Sequence, residues 1–103
     1  MGDYLLISIQ RFNTLLNTKN TAFISFNEKL DISSFYDGIE DLNKINNYNL
    51  IATVNHYGTL NLGHYDSNIK IYNNWFNFND NIISKLINLE FYSKNICLLV
   101  YKK

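Results

Sequence analysis

The chemistry this chain could do centres on His64. It follows Gly63 at the mouth of an apolar run, where a rigid scaffold can hold an imidazole within reach of a ligand. Farther along, Trp75-Phe76-Asn77-Phe78-Asn79-Asp80 ends in polar groups suited to orienting such a ring. A histidine steered by an amide or a carboxylate is a general base, and a general base needs a nucleophile beside it. The only cysteine, Cys97, lies inside the apolar run Ile96-Cys97-Leu98-Leu99-Val100. Free cysteine is among the most buried residue types, so Cys97 is assigned to the core. Half of a nucleophilic apparatus is therefore visible. Taken alone, each piece also has a purely structural reading. A strand-end histidine is often a satisfied structural residue, and Asn79-Asp80-Asn81 is turn chemistry. His56 is read as structural. His56 and His64 match no common zinc spacing, so no metal and no cofactor is expected.

The elements that must position these residues are strands. Leu5, Ile7 and Ile9 alternate with Leu6, Ser8 and Gln10, a period of two that predicts a strand over 4–12. Asn13 to Asn20 is polar and breaks the pattern, Thr21 to Phe26 is a short second strand, and Leu30 to Ile32 a brief extended piece. Ser33 to Asn47 reads as a connection, with Ser34 placed to cap a helical stretch through Ile45 that Gly38 weakens. From Asn49 the pattern sharpens. Leu50, Ala52 and Val54 share one face, Ile51 and Thr53 the other. After a glycine loop, Tyr65, Ser67, Ile69 and Ile71 oppose an unusually polar set, His64, Asp66, Asn68 and Lys70. Trp75 to Phe78 and Asn81 to Leu86 predict further strands, and Leu86 to Lys94 a helical turn. Asn95 to Tyr101 holds the continuous apolar run Ile96 to Val100, as in a central strand buried on both faces. The pattern is a single β-rich α+β domain built on an antiparallel sheet.

Composition narrows the function classes. At 103 residues the chain is one domain with little surplus stability. Lys+Arg and Asp+Glu are both 9, so no basic field exists for a phosphate backbone, and nucleic acid is excluded as a partner. No run approaches the ~18 apolar residues of a membrane span, and no basic segment precedes an apolar one as in a signal peptide. A lone cysteine suits a reducing compartment, so an intracellular, cytoplasmic protein is expected.

Four blocks carry a resemblance. Tyr48-Asn49-Leu50-Ile51-Ala52-Thr53-Val54-Asn55-His56-Tyr57-Gly58, then Gly63-His64-Tyr65, then Trp75 to Asp80, then Leu98-Leu99-Val100-Tyr101 resemble the C-terminal part of ubiquitin-specific proteases, the papain-like cysteine deubiquitinases. Gln10-Arg11-Phe12 is similar to the Lys-Arg-Phe with which that region starts. Phe26 to Ile32 is similar to the following Phe-Pro…Leu-Asp-Leu segment, minus its proline. The resemblance covers nearly the whole chain and implies the palm-like sheet of that fold.

It also implies roles. His64 matches the general base that draws the proton from the catalytic thiol. Asn79 matches the group that fixes the ring's tautomer, and Asp80 an acidic position supporting it. Tyr57, Gly58, Leu62, Gly63 and Tyr65 match the segment that binds ubiquitin's C-terminal tail, where glycine lets backbone approach backbone. Departures from the pattern matter as much. The family's nucleophile sits in an N-terminal Cys box on a helical lobe that these 103 residues do not contain. Leu62 stands where a second glycine is expected, and Asp66 where the family has an uncharged residue.

The resulting expectation is the C-terminal half of a deubiquitinase, hydrolysing the bond at the ubiquitin C-terminus only when a thiol is supplied and inactive alone. The alternatives are a non-catalytic remnant that binds ubiquitin or another partner, or a degenerate fragment. Expected partners are ubiquitin or a ubiquitin-like protein and a separate Cys-lobe polypeptide, with self-association where the sheet lacks that cover. Geometry supplies two competing registers. An Asn73-Asn74 turn would pair Tyr72 with Trp75 and leave His64 about 13 Å beyond Asn79 along the strand. A Lys70 to Asn73 loop would place His64 directly opposite Asn79, and the implied site favours it.

Overall fold

In a computed structural model, residues 3–32, 47–59 and 61–103 are described, and every regular element among them is a strand. The expected helical stretch from Ser34 to Ile45 lies outside the described residues. The strands are β1 (Tyr4–Ser8), β2 (Phe12–Asn13), β3 (Thr18–Lys19), β4 (Ile24–Ser25), β5 (Lys29–Asp31), β6 (Asn47–Gly58), β7 (Gly63–Ile71), β8 (Asn74–Asn79), β9 (Ile82–Lys85), β10 (Tyr92–Ser93) and β11 (Ile96–Lys102). Seven of them form one antiparallel sheet in the order β1-β11-β6-β7-β8-β9, with β5 extending the sheet beside β6. The β-rich antiparallel class read from the alternating runs is therefore the observed one. No helix among the described residues is long and apolar enough to cross a membrane.

The core lies on one face, and two bulges put it there. Between Val100 and Tyr101 the register with β6 shifts, so Leu99 pairs with Thr53 but Tyr101 with Leu50. The extra residue on β6 reverses its alternation, and Tyr48, Leu50 and Thr53 all end up buried. A second shift between Ile96 and Leu98 does the same for β11, bringing Ile96, Leu99 and Tyr101 to that face. With Phe26, Ile32 and Trp75 they make the core cluster, and the Tyr101 hydroxyl donates to Asn27 O at 2.6 Å. Two expectations change here. Leu50 does not share a face with Val54, and β11 is not buried on both sides, because Cys97, Leu98 and Val100 stay half-buried. On the opposite face a cross-strand row runs Leu6, Val100, Ala52, Ile69 and Phe76, with Leu6 largely exposed.

Two further expectations are corrected. The expected helical turn over 86–94 is irregular chain ending in β10, which pairs with β4. The polar stretch over 13–20 is not a simple break, since β2 and β3 form a hairpin closed by Asn17 at φ 51°. That hairpin is anchored by Arg11. Its buried guanidinium donates to Ile96 O (2.6 Å), Asn20 O (3.0 Å), Ala22 O (2.9 Å) and Ser93 O (3.2 Å), so four carbonyls satisfy a charge that would otherwise be costly to bury. Lys19 then reaches across the sheet and donates to His56 O and Gly58 O at 2.9 and 3.1 Å.

Candidate active site

The site is built where β6, β7 and β8 run side by side. β6 and β7 form a hairpin whose last pair is Gly58 and Gly63. Gly58 has φ 94°, a conformation that side chains resist, and a Cβ there would also overlap Leu62 O. Thr59 N donates to Leu62 O at 3.3 Å and Leu62 N to Thr59 Oγ1 at 3.2 Å, which closes the loop. Leu62 is 84% exposed.

β7 and β8 meet in neither of the two expected registers. Ile71 faces Asn74 across a two-residue turn, Tyr72-Asn73, with both residues left-handed at φ 48° and 66°. That is the sign pattern of a type I′ hairpin, with a tyrosine in a position that bulky residues seldom take. Asn74 stays in the strand and donates its amide to Tyr72 O at 3.2 Å, which fixes the turn one residue earlier than Asn-Asn propensity alone implies. Asn68 therefore faces Asn77, and Ser67 faces Phe78.

Even so, His64 and Asn79 meet. His64 Nε2 lies 2.6 Å from Asn79 Oδ1. An amide oxygen only accepts, so Nε2 carries a proton in this contact, and in the neutral ring Nδ1 is then the nitrogen with the lone pair. This is the tautomer a general base needs, with its free nitrogen on an exposed ring. Asp80 follows at φ 51° in the turn to β9, exposed and without a side-chain hydrogen bond among the described residues.

Other predicted residues divide between the two faces. Tyr57 pairs directly with His64 and shares its face. Burial, then the Asp66 charge and a hydrogen bond to that carboxylate, push the Tyr57 hydroxyl pKa up. Tyr65 points the other way and stacks on His56, with ring centroids 4.6 Å apart. Gly63 also serves that side, because a Cβ on it would overlap His56 Nε2. Cys97 is half-buried on β11, with β6 lying between it and β7, so it sits roughly 9–10 Å from the His64 strand. Burial raises its thiol pKa, against a smaller lowering by Arg11 and Lys19. The chain thus brings the His64 ring and the Asn79 amide together, while its one thiol stays elsewhere. No cluster of His, Cys, Asp and Glu suited to a metal occurs among the described residues.

Comparison with known proteins bears on this arrangement. Residues 3–101 match the ubiquitin carboxyl-terminal hydrolase family. The chain belongs to that family. It is 33% identical over 112 residues to ubiquitin carboxyl-terminal hydrolase 8 of Saccharomyces cerevisiae, covering 98% of this chain and 24% of that protein. It is 34% identical over 102 residues to ubiquitin carboxyl-terminal hydrolase 22 of Mus musculus, covering 85% of this chain and 19% of that one. Among solved structures, the SAGA Ubp8/Sgf11/Sus1/Sgf73 DUB module superposes with a TM-score of 0.82 at 32% identity, over 97% of this chain and 23% of that chain. The same module bound to ubiquitin aldehyde gives 0.81 at 31% identity. This ubiquitin carboxyl-terminal hydrolase segment therefore spans about a quarter or less of the relatives it matches.

Several residues beside the site carry no role in the sequence reading. Asn55 and Asn77 both donate to Asp66, and Asn77 also donates to Asn68 Oδ1 at 2.9 Å. The signal for this network was the run of polar residues alternating along β7. A cavity of about 380 Å³ lies over the same face, lined among others by Thr53, Asn55, Tyr57, Asn68 and Asn77.

Proposed function

We propose that this chain is the base-bearing part of a cysteine-type ubiquitin hydrolase. His64 takes the proton from a thiol supplied by the rest of the enzyme, and Asn79 holds the ring by accepting from Nε2–H. The carrying observation is the 2.6 Å contact between His64 Nε2 and Asn79 Oδ1 on a surface open to an incoming group. Transfer of the thiol proton to Nδ1 would leave a thiolate beside an imidazolium, the reactive pair of this chemistry. Asp80 supports the turn that ends β8. Tyr57, Gly58, Leu62 and Gly63 flank the approach to His64, where an extended ubiquitin tail would lie, and Leu62 narrows it.

The 103 residues hold no thiol that can reach the base, so this chain alone should not hydrolyse a ubiquitin C-terminal fluorogenic substrate. Turnover that survives Cys97→Ser and vanishes in His64→Ala would overturn the reading. The half-exposed row from Leu6 to Phe76 needs cover, and in isolation the chain should self-associate. A concentration-independent monomer in analytical ultracentrifugation would count against that.

A further inference from the structure

The β7–β8 register creates a difficulty for the site. Since Ser67 faces Phe78, the same register carried one step further puts Asp66, and not His64, opposite Asn79. The His64–Asn79 contact therefore runs diagonally across the strands, where Cα atoms are ~7–8 Å apart, and it forms only if the two side chains lean toward each other. A second pair leans the same way. Asn77 faces Asn68 directly, yet its amide also donates to Asp66 Oδ2 at 3.1 Å, two residues off its register partner. The two diagonals are parallel and adjacent. The other carboxylate oxygen, Oδ1, accepts from Asn55 at 2.8 Å, so one side chain ties β6, β7 and β8 together beside the base.

We propose that Asp66 is a positioning residue, holding the diagonal stagger on which Asn79 reaches His64. The charge suits this task. A carboxylate accepts through both oxygens, so it can take an amide from each neighbouring strand at once, whereas an amide at the same position would set its own NH₂ against one of them. No cation is engaged: the only ion pair among the described residues joins Lys70 and Glu28. The inference rests on His64 being the base, and it adds what keeps that base aligned.

The test is solution NMR on the ¹⁵N-labelled 103-residue chain, which reads the pair without any activity. In the unaltered protein the His64 Hε2 proton should be protected from water and show cross-relaxation to Asn79. In Asp66→Asn its exchange should quicken by about tenfold or more, with loss of those cross-peaks. Asn77→Ala, which cuts the β8 end of the tether alone, should do the same and replaces the first variant if Asp66→Asn does not fold. A folded Asp66→Asn with unchanged His64 exchange and cross-peaks, whatever its stability, overturns the positioning role while leaving His64 as the base. An unaltered protein whose His64 ring shows no bond to Asn79 overturns both.

Discussion

His56 and His64 stand on paired strands, one register step apart, and face opposite ways. His56 is 2% exposed, packed edge-on against Phe12 and under Tyr65, roofed by Gly63, with Nδ1 unpartnered. Burial, and secondarily the nearby Lys19, push its pKa below the usual histidine value, so it stays neutral. His64 is exposed, and one of its nitrogens already has a partner. The difference shows how a strand pair gives one residue type two environments. The inward histidine packs within the hairpin, and the outward one presents its ring to an incoming group.

Breaking the buried side should have the largest effect. Arg11→Met leaves four carbonyls without their donor and releases the β2–β3 hairpin that holds Phe12 and Lys19 against His56. A loss of about 3–5 kcal/mol is expected from urea denaturation, enough to unfold much of so small a domain. His56→Ala should cost about 2–4 kcal/mol by opening a cavity. His64→Ala should stay within about 0.5 kcal/mol in the same assay. Equal losses for the two would erase the distinction. Gly63→Ala should cost about 1–3 kcal/mol through overpacking on His56, and the combination with His56→Ala should cost less than the two added together.

The smallest effect is in pH. His56 titrates lower when folded than when unfolded, so below about pH 6.5 the unfolded chain takes up a proton that the folded one refuses. Stability should therefore be greatest above that pH and fall as pH drops toward the depressed folded value. His56→Gln should remove that part of the slope, read as denaturation midpoints between pH 7.5 and 5. A slope unchanged by the substitution would show that His56 is not the group responsible.

The sheet was legible because its strands alternate. β6, β7 and β8 each show a period of two, and His64 and Asn79 stand out at their ends. Three features were hidden from that pattern. The bulges in β6 and β11 depend on cross-strand register, which no local run encodes, and they decide that Leu50 and Thr53 share the core face. The β2–β3 hairpin shows no alternating run, and its anchor, Arg11, works partly through carbonyls distant in sequence. The β7–β8 register turns on a left-handed Tyr72, against ordinary turn preference, and so the His64–Asn79 bond is diagonal and not direct. Asp66 was visible as a charge out of place, but its two amide partners appear only when three strands are side by side.

The most direct test sets these residues within a longer relative. Residues 3–101 would replace the corresponding segment of the yeast ubiquitin carboxyl-terminal hydrolase 8, and kcat/KM would be measured on a fluorogenic ubiquitin substrate. The account predicts turnover by the folded chimera that falls ~10²–10⁴-fold in His64→Ala, the usual contribution of a general base, and by a smaller factor in Asn79→Ala. A folded chimera that is inactive, or whose turnover is indifferent to His64→Ala, would contradict it.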